Sequence, residues 1–495
     1  MRTFSSLLRL LLVFSFPLFA DMYNHKIILV GDKAAALGGA FTGLADDATA
    51  TYYNPAGLTQ IKNIKLNVSA QIIQYQKQQI EIAPSTVIPY NSFNFSPSIT
   101  AFSQRMGKWA YGFSVVTPQN DLFTGEQNIQ GAYRDTSVNE ECYELPGNPK
   151  PCFAKVHLSY YEVPKITMIG PSGAMKFNDN ISLGASLYAI YFTELEKTDF
   201  GSWNANFLNG DTTKMSRFRE SNVTRQVNQT GIGFTGTFGI LVRMNQGFSF
   251  GVSASPGSLD FITRLEEQRI ETFLNERLAT IDQIDTIPTR AYVYNLSKTA
   301  KHTEVSAPSL SIGVSWHPIE RLMLTAQTDY YLGSIYSYTG YTTNDDAAIK
   351  QVTRSGFEYY TPVEKTYTIE KKSVVNFCGG AEVQVLKGYS LAASGFTDFS
   401  QGPTDSREAS WNRNIDYFGG TLSLGMDKEF TESRFGISAA YGDASITHFQ
   451  WTTTIGGKPD VLKVTDKAGN SKTSKVRQNF DAYNFGIFIS STLKI

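Results

Sequence analysis

The sequence predicts an all-β fold, a transmembrane antiparallel β-barrel of about fourteen strands. Three observations lead there. Apolar residues alternate with small or polar ones along most of the chain. The connections between the alternating segments switch between short turns and long links. Glycine and aromatics are abundant, with 40 Gly, 26 Tyr and 33 Phe in 495 residues, and no apolar run beyond the N-terminus is long enough for a membrane helix.

The alternation has a period of two. Leu310, Ile312, Val314 and Trp316 are interleaved with Ser309, Ser311, Gly313 and Ser315. Phe248, Phe250, Val252 and Ala254 stand against Ser249, Gly251, Ser253 and Ser255, and Leu422, Leu424 and Met426 against Thr421, Ser423, Gly425 and Asp427. Strands are expected near 64–78, 92–105, 109–118, 159–170, 181–198, 226–243, 247–256, 308–317, 321–335, 373–386, 389–399, 415–428, 433–447 and 476–494.

A soluble sandwich would alternate too, so the connections decide. Short turns are expected at Gly107, Asn245-Gln246, Pro318-Ile319, Lys387-Gly388 and Thr431-Glu432, with a somewhat longer one around Gly173. Long links fall near 119–158, 199–225, 257–307, 336–372 and 448–475, and shorter ones near 79–91 and 400–414. Short turns on one side and long loops on the other are the pattern of a bacterial outer-membrane barrel, and an even strand count returns both ends to the periplasmic side. The last strand ends the chain with Tyr483, Phe485, Ile487 and Ile489 alternating, where barrel assembly machinery reads its substrates, although the final residue is Ile495 rather than an aromatic.

Residues 1–20 read as a signal peptide: Arg2 and Arg9 supply the positive region, residues 10–19 the apolar one, and cleavage is expected after Ala20. With 44 Lys+Arg against 45 Asp+Glu the chain is nearly neutral, which excludes a basic nucleic-acid surface. Cys142 and Cys152 lie in a polar stretch with Pro146, Pro149 and Pro151, and a disulfide between them is expected in an oxidising compartment. Cys378 sits in a strand pattern as a packing residue.

Two segments break the strand pattern. One is the Ala- and Gly-rich stretch 21–63. The other opens the 257–307 link, where Ile262, Leu265, Arg269, Phe273, Arg277 and Ile281 recur every three or four residues. That spacing predicts an amphipathic helix over 261–281 at the barrel's outer mouth. Its apolar face either captures arriving molecules, with Phe261, Ile262, Leu265, Ile270, Phe273 and Leu274 as candidates, or packs on the rim. Trp203, Phe207 and Leu208 add apolar surface nearby.

The most informative stretch is 31–58: Gly38-Gly39-Ala40-Phe41, then Ala45-Asp46-Asp47-Ala48, then Asn54-Pro55-Ala56-Gly57-Leu58. In order and approximate spacing it resembles the N-terminal hatch of the FadL/TodX family of outer-membrane transporters for long-chain fatty acids and hydrophobic compounds. The resemblance implies a hatch (plug) at 21–63 inside the lumen of a barrel formed by 64–495. Gly38, Gly39, Phe41, Asp46, Asp47, Asn54, Pro55 and Ala56 would be the hatch and gating residues. It further implies ligand capture by outer loops near 199–225 and 257–307, passage to a barrel site, and release by hatch movement or lateral opening at a kinked strand.

The residues agree with that reading. Paired glycines allow close approach or unusual dihedrals, and Asn54 before Pro55 suits a turn. Asp46 and Asp47 either pair with a wall cation such as Arg243 or stay solvated. Gly231-Ile-Gly233-Phe-Thr-Gly236 fits GxGxxG inside a strand with no helix after it, which argues against a nucleotide site. The five histidines lack metal-ligand spacing, and no GxSxG nucleophile motif is present, so neither metal, cofactor nor enzyme activity is expected. The expected function is passive outer-membrane transport of long-chain fatty acids or similar hydrophobic molecules by a monomer among outer-membrane lipid. A surface adhesin or structural barrel, and a general porin, are the alternatives.

Overall fold

The computed structural model describes residues 23–495 except 27, 63, 84–85, 121, 134–151, 208–214, 245–246, 280–282, 301–306, 343–348, 353–357, 362, 403–414, 450–451, 456–457, 462, 466–470 and 474–475. One sheet of seventeen hydrogen-bonded segments makes up the barrel. Three strands are each interrupted once, so the segments amount to fourteen strands. These are β1 (Lys65–Ala83), β2 (Thr86–Met106), β3 (Trp109–Asn120, resuming at Phe123–Tyr133), β4 (Cys152–Lys176), β5 (Ile181–Phe207), β6 (Met215–Met244) and β7 (Phe248–Ser255, resuming at Leu259–Ala279). The others are β8 (Gln283–Ala300, resuming at Ser309–Ile319), β9 (Leu322–Tyr331), β10 (Val374–Leu386), β11 (Tyr389–Asp398), β12 (Asp416–Asp427), β13 (Thr431–Phe449) and β14 (Val476–Lys494). Neighbours are antiparallel, and β14 returns to β1 with Lys65 opposite Lys494 and Leu66 opposite Leu493, which closes the sheet. Each predicted strand is present.

The alternation resolves in the direction that a membrane requires. Leu310, Ile312, Trp316, Leu422 and Leu424 point outward and are exposed, while Ser315, Thr421 and Ser423 point inward and are buried. On β5 the outward set is Leu183, Leu187 and Tyr191, and the inward set is Ser182, Ser186 and Tyr188. A sandwich would bury the first set. A barrel in hydrocarbon must turn it outward, and must close so that no backbone group is left unpaired at a cost of several kcal/mol each.

The structure departs from expectation at the outer end. Much of 199–225 and 257–307 is strand rather than loop. β6 starts at Met215 and pairs on one side with β5 and on the other with the second half of β7 (Arg217 opposite both Asn206 and Arg277). The predicted helix over 261–281 is absent: residues 259–279 form the outer half of β7, paired with β6 and with the outer half of β8. Two neighbouring strands offer every backbone group a partner, and this outweighs a weak local helical spacing. Beyond the apolar band neither face of a strand has to be apolar, so no period-two contrast need mark it. The turn expected at Gly173 lies instead at residues 177–180, because β4 continues to Lys176. Residues 1–20 and Cys142 are outside the described residues, and with them the signal peptide and the expected disulfide to Cys152.

Residues 23–62 form a small body pressed against the inner faces of the strands. It contains two short helices, α1 (Lys33–Ala36) and α2 (Ala50–Tyr53), and a 3-10 turn over Pro55–Gln60. Glycines on the wall make room for it. A side chain on Gly239 would collide with Asn54, one on Gly251 with the Thr42 carbonyl, and one on Gly313 would stand 2.8 Å from the Gly43 amide. Gly251→Val is therefore expected to leave a barrel that still migrates as a heat-modifiable band, but to weaken the seating of 23–62 by about 1–3 kcal/mol, the usual scale of overpacking. Faster proteolysis of this segment would register the loss. Gly173→Val, at a position with open space around it, should have no such effect.

Candidate functional site

The eight motif residues come together within the N-terminal body. Gly38 and Gly39 hold φ of 65° and 87°, a region open to glycine, and they end α1 against β11. Phe41 is fully buried and meets Tyr53 edge-on at 5.6 Å. Its amide and that of Thr42 donate to Gln327 Oε1 on β9 at 2.9 and 2.7 Å. Asn54 is the central clamp. Its Nδ2 donates to the Thr42 carbonyl at 2.9 Å and to the Ile240 carbonyl on β6 at 3.1 Å, while its Oδ1 accepts from the Ala56 amide. Pro55 opens the 3-10 turn, where its missing N–H costs nothing.

The two aspartates have different partners. Asp46 pairs at 2.6 Å with Lys33 of its own segment, not with Arg243. Burial opposes its ionisation, but the Lys33 ammonium outweighs burial and the carboxyl titrates below its usual range. Asp47 accepts from the Thr49 amide and hydroxyl at 2.7 and 2.5 Å at the start of α2. Burial, followed by the nearby carboxylates Asp32 and Asp46, pushes it up to about 7.

Sequence reasoning missed a second anchor, at the outer end of the N-terminal body. Lys26 Nζ lies 2.6 Å from Asp329 Oδ2 on β9, with both side chains almost completely enclosed, and donates to Cys378 Sγ on β10 at 3.1 Å. Asp329 Oδ1 accepts from Gln327 Nε2 at 2.7 Å, which links this pair to the Phe41 contact. Asp398 on β11 accepts from the amides of His25 and Lys26 at 2.9 and 2.8 Å. The His25 ring stacks on Tyr331 at 3.7 Å. The legible signal was a charge at an inward position of a strand, since Asp329 follows Gln327, Thr325 and Met323 along the inner face of β9.

Beside this anchor is a cavity of about 200 Å³ between the N-terminal body and the wall. Ile28, Leu29 and Val30 line it from within, and Ile166, Met168 and Ile190 from β4 and β5. The cavity reaches Pro118 and Gln119 on β3. There the wall is incomplete. β2 and β3 pair at Asn91–Thr124 and again at Ile99–Val116 in one register, with no ladder among the described residues between. Continuing that register sets Pro97 opposite Pro118, and neither can donate an N–H. Asn94 and Asn120 reach across instead: Asn94 Nδ2 donates to the Asn120 carbonyl, and Asn120 Nδ2 to the Phe95 carbonyl at 3.3 Å. Phe93 and Phe95 are exposed on the outer side. At the short-turn end of the barrel the N-terminal body faces a charged recess that includes Asp32, Lys33, Glu382 and Arg434, with Arg434 paired to Glu382 at 2.8 Å.

The capture candidates Phe261, Ile262, Leu265, Ile270, Phe273 and Leu274 run along the backbone of β7, and their side chains are outside the described residues. The GxGxxG stretch is strand within β6.

Known barrels share this fold. The chain is similar to the toluene transporter TbuX of Ralstonia pickettii, at 13% identity and a TM-score of 0.52 over 94% of this chain and 98% of that one. It is also similar to a Pseudomonas aeruginosa FadL homologue, at 11% identity and a TM-score of 0.52 over 94% and 98%. Its fold is that of the FadL/TodX barrels. The toluene transporter TodX of P. putida superposes likewise, at 10% identity and a TM-score of 0.51 over 94% and 98%. No family model matches the sequence, and no curated protein matches it.

Asp47 carries a pH consequence. Its folded pKa is raised above the ordinary 3.8, so its contribution is complete below about pH 4 and is lost as the pH rises through about 7. Protease attack on 23–62 is expected to increase between about pH 6 and pH 8, and Asp47→Asn should flatten that rise.

Proposed function

We propose that the chain is a bacterial outer-membrane channel for passive uptake of hydrophobic small molecules, acting as a monomer. In this reading residues 23–62 are the hatch, and the cavity beside Lys26 and Asp329 is the barrel site. Long-chain fatty acids and monocyclic hydrocarbons are the two candidate substrate classes. The observation that carries the proposal is the continuity of an apolar-walled cavity with the unpaired stretch of wall between β2 and β3. A hydrophobic molecule leaving there enters lipid, whereas one leaving toward the periplasm must cross the charged recess. Release is therefore assigned to lateral opening, with the hatch held in place by Asn54 and Lys26. The outer halves of β5 to β8 receive the ligand, the surrounding partners are outer-membrane lipids, and insertion is the task of the barrel assembly machinery.

The test places the purified protein in liposomes and follows labelled naphthalene, oleate and a small sugar together. Entry of either hydrophobic probe without sugar is expected. Sugar entry would make the chain a porin, and exclusion of all three would leave an adhesin or structural barrel. Replacing Pro97 and Pro118 together by Val should restore the missing ladder and slow hydrophobic entry by about ten-fold or more, in a barrel that folds normally. Deleting residues 21–63 should admit the sugar, and a deletion variant that remained tight would sink the hatch assignment.

A further inference from the structure

The cavity between the N-terminal body and the wall has two unlike sides. Beside its apolar face, on the strands that follow, runs a row of hydroxyls, Thr235 and Thr237 on β6, Ser253 on β7, and Ser309 and Ser311 on β8. Two formal charges border it, Lys26 and Asp329, at 2.6 Å from each other and almost wholly enclosed. The lining imidazole, His25, is kept neutral, because burial and then Lys371 depress it to about 3. One layer further out are Lys371 and Asp398, one of each sign, both buried. No net charge faces the cavity, and its cation is already engaged by a carboxylate.

Resting on the transport reading above, we infer that this cavity selects compact, uncharged molecules that carry a hydroxyl on an apolar body, and turns carboxylates away, with Asp329 as the specificity-determining residue. An entering carboxylate must either displace Asp329 from Lys26 or lie beside it unpaired, and either course leaves a charge buried without compensation. A hydroxyl needs only one donor or acceptor, which this row supplies while the adjoining apolar wall takes the hydrocarbon. Size points the same way. A dry cavity of about 150 Å³ holds benzene, so this one suits a substituted one- or two-ring molecule, and enclosing a long acyl chain would require it to open.

The experiment titrates full-length protein in detergent with 2-naphthol, naphthalene and 2-naphthoate at about pH 7.5, where the phenol is neutral and the acid ionised. The naphthol is expected to bind at least about ten-fold more tightly than the naphthoate. Asp329→Asn frees the Lys26 charge and should bring that ratio to near one or reverse it. Lys26→Met leaves Asp329 uncompensated and should widen it, which provides a second reading if the first variant fails to fold. Equal binding of naphthol and naphthoate by the wild-type protein, or a ratio unmoved in a folded variant, overturns the charge filter alone. Failure of all three probes to bind, naphthalene included, would overturn the transport reading with it.

Discussion

In hydrocarbon a backbone amide or carbonyl has no water to turn to, and the whole architecture follows from pairing each of them within the protein. The return of β14 to β1 satisfies the last edge. Closure then gives every residue one of two addresses, lipid or lumen, so the side chains must alternate in kind. The same constraint makes any unpaired stretch conspicuous. Between β2 and β3 the ladder is missing where Pro97 faces Pro118, and two asparagine side chains span the interval in its place. A backbone ladder is cooperative along its length, whereas two side-chain hydrogen bonds open separately at about 1 kcal/mol each. This weakened stretch of the wall lies at the end of the apolar-walled cavity.

The lumen poses the opposite problem, because a segment without regular strands has to satisfy its own polar groups there. It does so by trading bonds with the wall. Asn54 bonds both to its own segment and to β6, Gln327 reaches in from β9, and Asp398 receives the amides of His25 and Lys26. Glycine on the wall is what allows such approach. Gly239, Gly251 and Gly313 lie on three successive strands and present bare backbone to the segment.

Much of this was legible in the sequence. The alternation of Leu310, Ile312 and Trp316 with serine and glycine located its strand, and the sorting of short and long connections chose a barrel over a sandwich. The motif from Gly38 to Leu58 marked the segment that packs against wall residues such as Gln327 and Gly239. What stayed hidden has physical reasons. The outer halves of β6 and β7 lie beyond the apolar band, where neither face must be greasy, so 262–281 showed only an accidental helical spacing. The Lys26–Asp329 pair joins residues far apart in the chain, and no local pattern reports a contact that only closure creates. The prolines at 97 and 118 were visible singly, but their opposition depends on register.

The extra length of β6 has a consequence at the cell surface. Among the described side chains its outward apolar residues end at Ile232, yet the strand begins at Met215. At about 3.3 Å per residue and a tilt of about 40°, the stretch 215–231 lifts the rim roughly 40 Å above the hydrocarbon. In a Gram-negative envelope that height is occupied by the sugar coat of lipopolysaccharide, a hydrated layer that greasy molecules cross poorly. A wall of this height works as a chimney. On the proposed transport reading it would carry the entrance for such molecules above the sugars.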